Sequence, residues 1–240
     1  MRIFVDVGAH FGESFEIAFN PAFGFEKYFL IEPSSKCLKV LRKIKSKKVT
    51  VVPVGFSKVD SIGFLFNSGN LGASIYQDKP MHSYTSIGES IELVSTSKWL
   101  LSNTTTNDQI YMKLNCEGGE ADIIEDLIEH DYIRNITSLY VDFDIRKIPS
   151  QAYRLSFIQE KLRSYDIEFY TQDDVTGLDA AAINSWLSQS ILMEKSSWAS
   201  RIVWKLKFYL PVHRQIYIFL RTRVPKKIVR FIKGLGNLKF

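Results

Sequence analysis

Histidine and cysteine are scarce in this chain, and their scarcity limits its chemistry. The 240 residues include four His and two Cys. Without a spaced set of His, Cys, Asp and Glu there is no metal-ligand pattern, so no metal is expected. Cys37 and Cys116 cannot build a disulfide framework; they read as buried thiols of a reducing compartment. No stretch of about 20 apolar residues occurs, so no transmembrane helix is expected. Residues 1–20 lack a cationic start followed by an apolar run, so no secretory signal is expected. These absences fit a cytoplasmic protein. Acids are also missing from one region. From Lys195 onward there are twelve Lys and Arg but no Asp or Glu. The net charge of +5 therefore averages an acidic body, residues 1–194 at −7, and a basic extension, residues 195–240. Such asymmetry points to a tail that meets a membrane or nucleic acid.

The body opens on Ile3-Phe4-Val5-Asp6-Val7, an apolar run of strand formers that carries an acid, followed by the turn Gly8–Gly12 and helix formers from Glu13. Strand, tight glycine loop and helix start is how an open α/β sheet begins a nucleotide-type site. Lys27–Ile31 is a second strand, stopped by Glu32-Pro33, and Ser34 or Ser35 can cap the basic amphipathic helix that follows. Val49–Val54 is a third, continuous with the Val/Thr character of a buried parallel strand. The first 54 residues thus read βαβαβ, half of a doubly wound, Rossmann-like sheet. Residues 55–107 are less regular, with strand candidates at Ile62–Asn67, Ser74–Gln77 and Ser90–Val94 and a short helix at Ser95–Leu101; they read as insertions at one end of the sheet. Strands at Ile110–Asn115, Ile136–Phe143 and Ile167–Tyr170 alternate with helices at Ala121–His130 and Gln151–Ser164, and a further helix covers Ala180–Leu192. Three short helical pieces follow between Ser200 and Lys233, with Trp, Tyr and Phe interleaved among Lys and Arg.

Acids mark the strand ends, where open sheets bind their ligands. Gly8 and Gly12 are four apart, which departs from the G-x-G-x-x-G of dinucleotide binding and is closer to the G-x-G-x-G loop of S-adenosylmethionine enzymes with the middle glycine replaced. Asp6 and the amides of Gly8–Gly12 are placed to hold the cationic amino-acid end of a ligand. Glu32 either accepts both hydroxyls of a ribose or is a solvated acid favoured by the next helix start. In Lys113-Leu114-Asn115-Cys116-Glu117-Gly118-Gly119-Glu120, strand alternation puts Lys113, Asn115 and Glu117 on one face. A polar triple on an interior strand is costly unless it is paired or binds something. It either serves a ligand or is a Lys113–Glu117 or Lys113–Glu120 pair that ties strand to helix.

Four blocks together carry a resemblance. Phe4-Val5-Asp6-Val7-Gly8-Ala9-His10-Phe11-Gly12, Ile31-Glu32-Pro33, Leu71-Gly72-Ala73-Ser74 and the Lys113–Glu120 block, in this order over residues 2–145, resemble the FkbM family of S-adenosylmethionine-dependent methyltransferases. His10 stands where Asn is common, and Asn115 where Asp is usual, which leaves that face one negative charge fewer. The resemblance implies a class I methyltransferase fold with an antiparallel strand late in the sheet. It also implies S-adenosylmethionine as methyl donor and, usually, O-methylation of sugars or related hydroxylated products. Cofactor binding is then expected at Asp6, Gly8, Ala9, His10, Gly12, Glu32 and Pro33.

Methyl transfer from such a donor is mostly orientation of the acceptor, helped by a general base. Glu117 is the first candidate base, then His10 or Glu120, with Lys113 and Asn115 beside them and Asp142 and Asp144 as further possibilities. The extension from residue 197 has two readings: a peripheral tether at the inner face of a membrane, or a helical appendage that packs on the body or in a dimer. Nucleic acid is disfavoured because the sheet is acidic and no reader motif is present. The alternative to an enzyme is a non-catalytic methyltransferase-fold adaptor that uses the tail to bind a membrane or partner, a reading that Asn115 favours.

Overall fold

The computed structural model describes residues 1–80, 88–165, 167–175 and 179–194. The basic extension 195–240, with its expected helices, lies outside the described residues. Contacts divide the chain into a unit Met1–Ile191 and a unit Leu192–Phe240.

The strands are β1 (Arg2–Val7), β2 (Lys27–Ile31), β3 (Val49–Val52), β4 (Gly55–Ser57), β5 (Ser61–Phe66), β6 (Gly88–Ser95), β7 (Gln109–Leu114), β8 (Ile136–Val141) and β9 (Glu168–Thr171). The helices are α1 (Glu13–Ala18), α2 (Ser35–Leu41), α3 (Thr96–Asn103), α4 (Glu120–Glu129), α5 (Arg154–Ser164) and α6 (Asp179–Glu194). Six strands form one sheet in the order β3-β2-β1-β7-β8-β9, and every neighbouring pair is parallel. This is the doubly wound, Rossmann-like arrangement, with its order reversing between β1 and β7. The antiparallel strand implied by the resemblance is not among the described residues: β9 pairs directly and in parallel with β8.

Both faces of the sheet are covered, which is why its inner strands are nearly unbroken apolar runs. Ile3, Val5 and Val7 share a core with Met112 and Leu114 of β7 and with Leu100 of α3, Ile123, Ile124 and Leu127 of α4, and Ile158 and Leu162 of α5. On the other face, Phe4 packs against Trp186 of α6 at 6.2 Å between ring centres, and Phe15 of α1 stands edge-on to Tyr28. Trp186 is fully buried, and its indole N–H donates to Ser138 Oγ at 2.9 Å. That buried donor finds its partner 48 residues away, so α6 has a fixed position that its mixed sequence does not announce.

The irregular segment 55–107 contains a second sheet of three strands in the order β4-β6-β5. β4, three residues long, is too short to show a period. The expected strand at Ser74–Gln77 is not one. Ser74 makes a single bridge to Phe66, after which residues 75–80 run as turns across the end of the main sheet. They are tied down there by side chains: Tyr76 O–H donates to Asp122 Oδ2 of α4 at 2.9 Å, and Asp78 accepts from the Ser150 amide at 2.8 Å.

α3 begins where the sequence predicts, with Ser95 as its N-cap, and the buried Asp126 of α4 reinforces that start. Its carboxylate accepts the Ser97 amide at 2.6 Å and the Ser95 hydroxyl at 3.2 Å. Asp126→Ala strands both donors, and the expected loss is about 1–3 kcal/mol of unfolding free energy, read from urea denaturation.

Candidate active site

A cavity of about 450 Å3 opens at the carboxyl ends of the parallel strands. Its walls come from the loops after β1, β2, β7 and β8 and from the second sheet with the segment that follows β5. This is the crevice at the switch point, where an open α/β sheet takes its ligand, and the size suits a small molecule.

Asp6 and Lys113 face each other directly across β1 and β7 in the sheet register. Both are buried, with Lys113 Nζ 2.9 Å from Asp6 Oδ1. The same ammonium donates to the Gly8 carbonyl at 2.8 Å. Burial pushes the Asp6 carboxyl up, and the Lys113 charge works against that. Lys113 therefore pairs with neither Glu117 nor Glu120. Asp6 lies behind the glycine loop and off the cavity wall, its charge answered from within the protein.

Gly8 has φ +74, and a Cβ there would lie 2.0 Å from the Asn115 carbonyl oxygen. The β1 loop can thus press against the β7 end only through a glycine. Gly8, Ala9 and His10 are on the cavity wall, and Gly12 is set back as the left-handed N-cap of α1. Glu32 is buried on the wall, with Pro33 next to it. Its Oε2 accepts the His10 amide and its Oε1 the Ser34 amide, each at 2.8 Å. Burial pushes this carboxyl up, and the two amides hold it back. The carboxylate thereby ties the loop after β1 to the loop after β2, and each oxygen keeps lone-pair capacity for another donor.

The β7 end divides its polar residues. Asn115 and Glu117 are on the cavity wall. The Asn115 Oδ1 is buried without a hydrogen-bond partner among the described residues. Glu117 has left-handed backbone, φ 59, so strand alternation no longer governs where it points. Its carboxylate is paired with Lys79, a buried lysine whose Nζ also lies 3.6 Å from Asp144 Oδ2. Burial pulls the Lys79 ammonium down. Glu120 is fully buried and is not a wall residue: its Oε1 accepts the Cys116 amide at 3.1 Å and the Gly118 amide at 3.0 Å, bracing the turn that leads into α4. Asp142 is on the wall at the end of β8, where burial and then Asp144 push its carboxyl up. Its Oδ1 lies 3.6 Å from Arg146 and accepts no hydrogen bond among the described residues. Asp144 itself is taken up by Lys79 and by Lys147 at 2.5 Å.

Sequence reasoning missed Lys79, Tyr140 and Gln172. Lys79 lies in a loop 38 residues from Glu117, with no motif around it. Tyr140 O–H donates to Gln172 Oε1 at 2.8 Å, and both side chains face the cavity. The opposite wall is apolar: Phe56, Leu65, Ile91 and Leu93 of the second sheet, with Ala73 and Ile75 packed against that cluster.

No protein-family model and no curated protein matches this sequence. Among solved structures, the chain is similar to methyltransferase FkbM from Methylobacillus flagellatus KT. The two are 17% identical with a TM-score of 0.43, over 67% of this chain and 38% of that one.

Glu120 sets a pH dependence. Burial pushes its carboxyl from 4.5 up to about 7. Between these values the folded protein binds more protons than the unfolded chain, so this group makes stability fall as pH rises from 4.5 to 7. Glu120→Gln removes that slope. Denaturation at pH 4 and pH 8 should show the variant gaining on the wild type by on the order of 2–3 kcal/mol at the higher pH.

Proposed function

We propose that this protein is an S-adenosylmethionine-dependent methyltransferase of the FkbM type that methylates a hydroxyl of a sugar, glycan or related metabolite. The reading is carried by one observation: three of the four motif blocks that bear the resemblance, remote in sequence, contribute wall residues to a single cavity at the switch point, and the fourth, at 71–74, joins them there. The wall also suits the cofactor chemically. Glu32 retains acceptor capacity for the two ribose hydroxyls. The Leu65, Ile91 and Leu93 surface suits a flat base, and the excess of wall carboxylates suits a cation.

Bound S-adenosylmethionine supplies a methyl group already activated on its sulfonium. The protein's own residues then bind the acceptor, orient it and take its proton. Glu117, paired with Lys79, is a poor proton acceptor but a fixed hydrogen-bond acceptor for a substrate hydroxyl. Asp142, its carboxyl pushed up by burial, is the base. Asn115, uncharged on the same wall, orients the acceptor. In this reading the basic extension, which lies outside the described residues, tethers the enzyme at the inner face of a membrane. The adaptor reading draws on Lys79, whose hold on Glu117 is compatible with cofactor binding without turnover.

Calorimetry is expected to show S-adenosylmethionine binding to the wild type. Glu32→Gln should weaken it on the order of ten-fold by losing charge-assisted bonds; a folded wild type that binds none would sink the proposal. With nucleotide- and lipid-linked sugars as acceptors, Asp142→Asn is expected to lower kcat by about 10^2–10^4 at unchanged cofactor affinity, and Glu117→Gln less. Binding without transfer to any acceptor would move the balance to the adaptor.

A further inference from the structure

The helix after the second strand is basic, and its charge serves neither the core nor the cavity. Lys36–Lys48 holds seven Lys and Arg in thirteen residues, and no acid occurs between Glu32 and Asp60. α2 turns Cys37, Leu38 and Leu41 into the protein. All seven cations are exposed, on α2 and on the turns that lead to β3, the edge strand of the main sheet. Among the described residues, none of the seven forms an ion pair. Lys36 donates to Asn70 Oδ1 at 3.3 Å and Lys48 to the Phe25 carbonyl at 3.5 Å, and both of these partners are neutral. Elsewhere in the body, Lys58, Lys79, Lys98, Lys113 and Lys147 each meet a carboxylate. A body that is acidic as a whole therefore carries an uncompensated positive face. Crowding like charges in this way costs stability through self-repulsion. Val40, an apolar side chain left 40% exposed, lies within that face.

We propose that this face, α2 and the turns after it, docks the folded body on an anionic lipid surface. Six of the seven cations are Lys and one is Arg. An ammonium on a flexible stem suits a diffuse layer of headgroups, whereas nucleic acid favours the Arg fork and aromatic rings that stack on bases. The stretch 33–59 has one aromatic residue, Phe56, and it is buried. Val40 has Lys36 four residues before it and Lys43 three residues after it, the spacing of neighbours on a helix surface. It is thus an apolar side chain ringed by cations, suited to enter the headgroup layer. This docking is independent of the cofactor reading and of the extension 195–240, because its cations belong to the described body.

The test is co-sedimentation of the full chain with vesicles of phosphatidylcholine alone and of equal parts phosphatidylcholine and phosphatidylglycerol. The wild type should bind the anionic vesicles and not the neutral ones, and high salt should release it. Removing one surface-facing cation weakens such partitioning about five-fold. Lys39→Gln, Arg42→Gln and Lys43→Gln together should therefore weaken it on the order of a hundred-fold. Lys45→Gln with Lys47→Gln, outside the helix, should weaken it more than ten-fold, and this pair keeps the test decisive if the triple variant fails to fold. A control triple, Lys98→Gln, Lys161→Gln and Arg163→Gln on α3 and α5, removes as much charge from exposed positions elsewhere and should change binding by less than about three-fold. Wild-type binding in the folded α2 variants, an equal loss in the control triple, or no binding to anionic vesicles overturns the inference. Tighter binding to duplex DNA than to the anionic vesicles, lost in the same α2 variants, overturns it in favour of nucleic acid.

Discussion

The buried pair between Asp6 and Lys113 is the constraint on which the site depends. It sits at the seam between β1 and β7, where the strand order reverses and the two halves of the sheet meet. Two opposite charges buried this deeply are tolerable only together; loss of one partner leaves the other uncompensated and typically costs about 3–5 kcal/mol. Lys113 extends the pairing by donating to the Gly8 carbonyl, so the ion pair also fixes where the glycine loop begins. From the same point Gly8 presses on the Asn115 carbonyl, and the Asn115 amide returns a hydrogen bond to Val7 at 3.2 Å. The relative height of the two loops that frame the cavity follows from this knot of contacts.

The second sheet and residues 67–80 depend on that frame in turn. Ser74 Oγ donates to the Glu117 carbonyl at 2.7 Å, and Lys79 takes the Glu117 carboxylate. At the other end, Ser68 donates to Ser34 Oγ at 2.9 Å, beside the loop that Glu32 holds. The segment therefore closes the cavity by attaching to the ends of β7 and β2, the strands on either side of β1. Its apolar cluster gives the cavity a wall that the main sheet lacks, since the strand ends of that sheet present mainly acids and amides.

The sheet was legible because most of its strands satisfy a simple pattern; the expected buried strand Val49–Val54 is instead the shorter, half-exposed edge strand β3, Val49–Val52. A parallel interior strand is mainly apolar, with any charge paired as Asp6 and Lys113 are, and Lys27–Ile31 has the same bounds in sequence and structure. Strand alternation correctly sets Lys113 opposite the apolar Met112 and Leu114 side, but fails at Glu117, where positive φ takes over. Acids at strand ends were visible as acids; their partners were not. Lys79 reaches Glu117 across 38 residues, and no local spacing encodes such a contact. The same holds for β4, which exists because β6 offers it an edge.

What the fold adds is a sorting of carboxylates that look alike in the sequence. Asp6 and Glu120 face inward and serve as structure, one neutralised by Lys113 and the other braced on two amides. Asp144 is consumed by two lysines, and Glu117 by one. Glu32 and Asp142 are left on the wall with capacity to spare, and Glu13 lines the cavity beside His10. Both lysines of the site, Lys79 and Lys113, are committed to acids of the protein. A ligand at this cavity therefore meets a wall rich in acceptors, with both nearby lysines already paired within the protein.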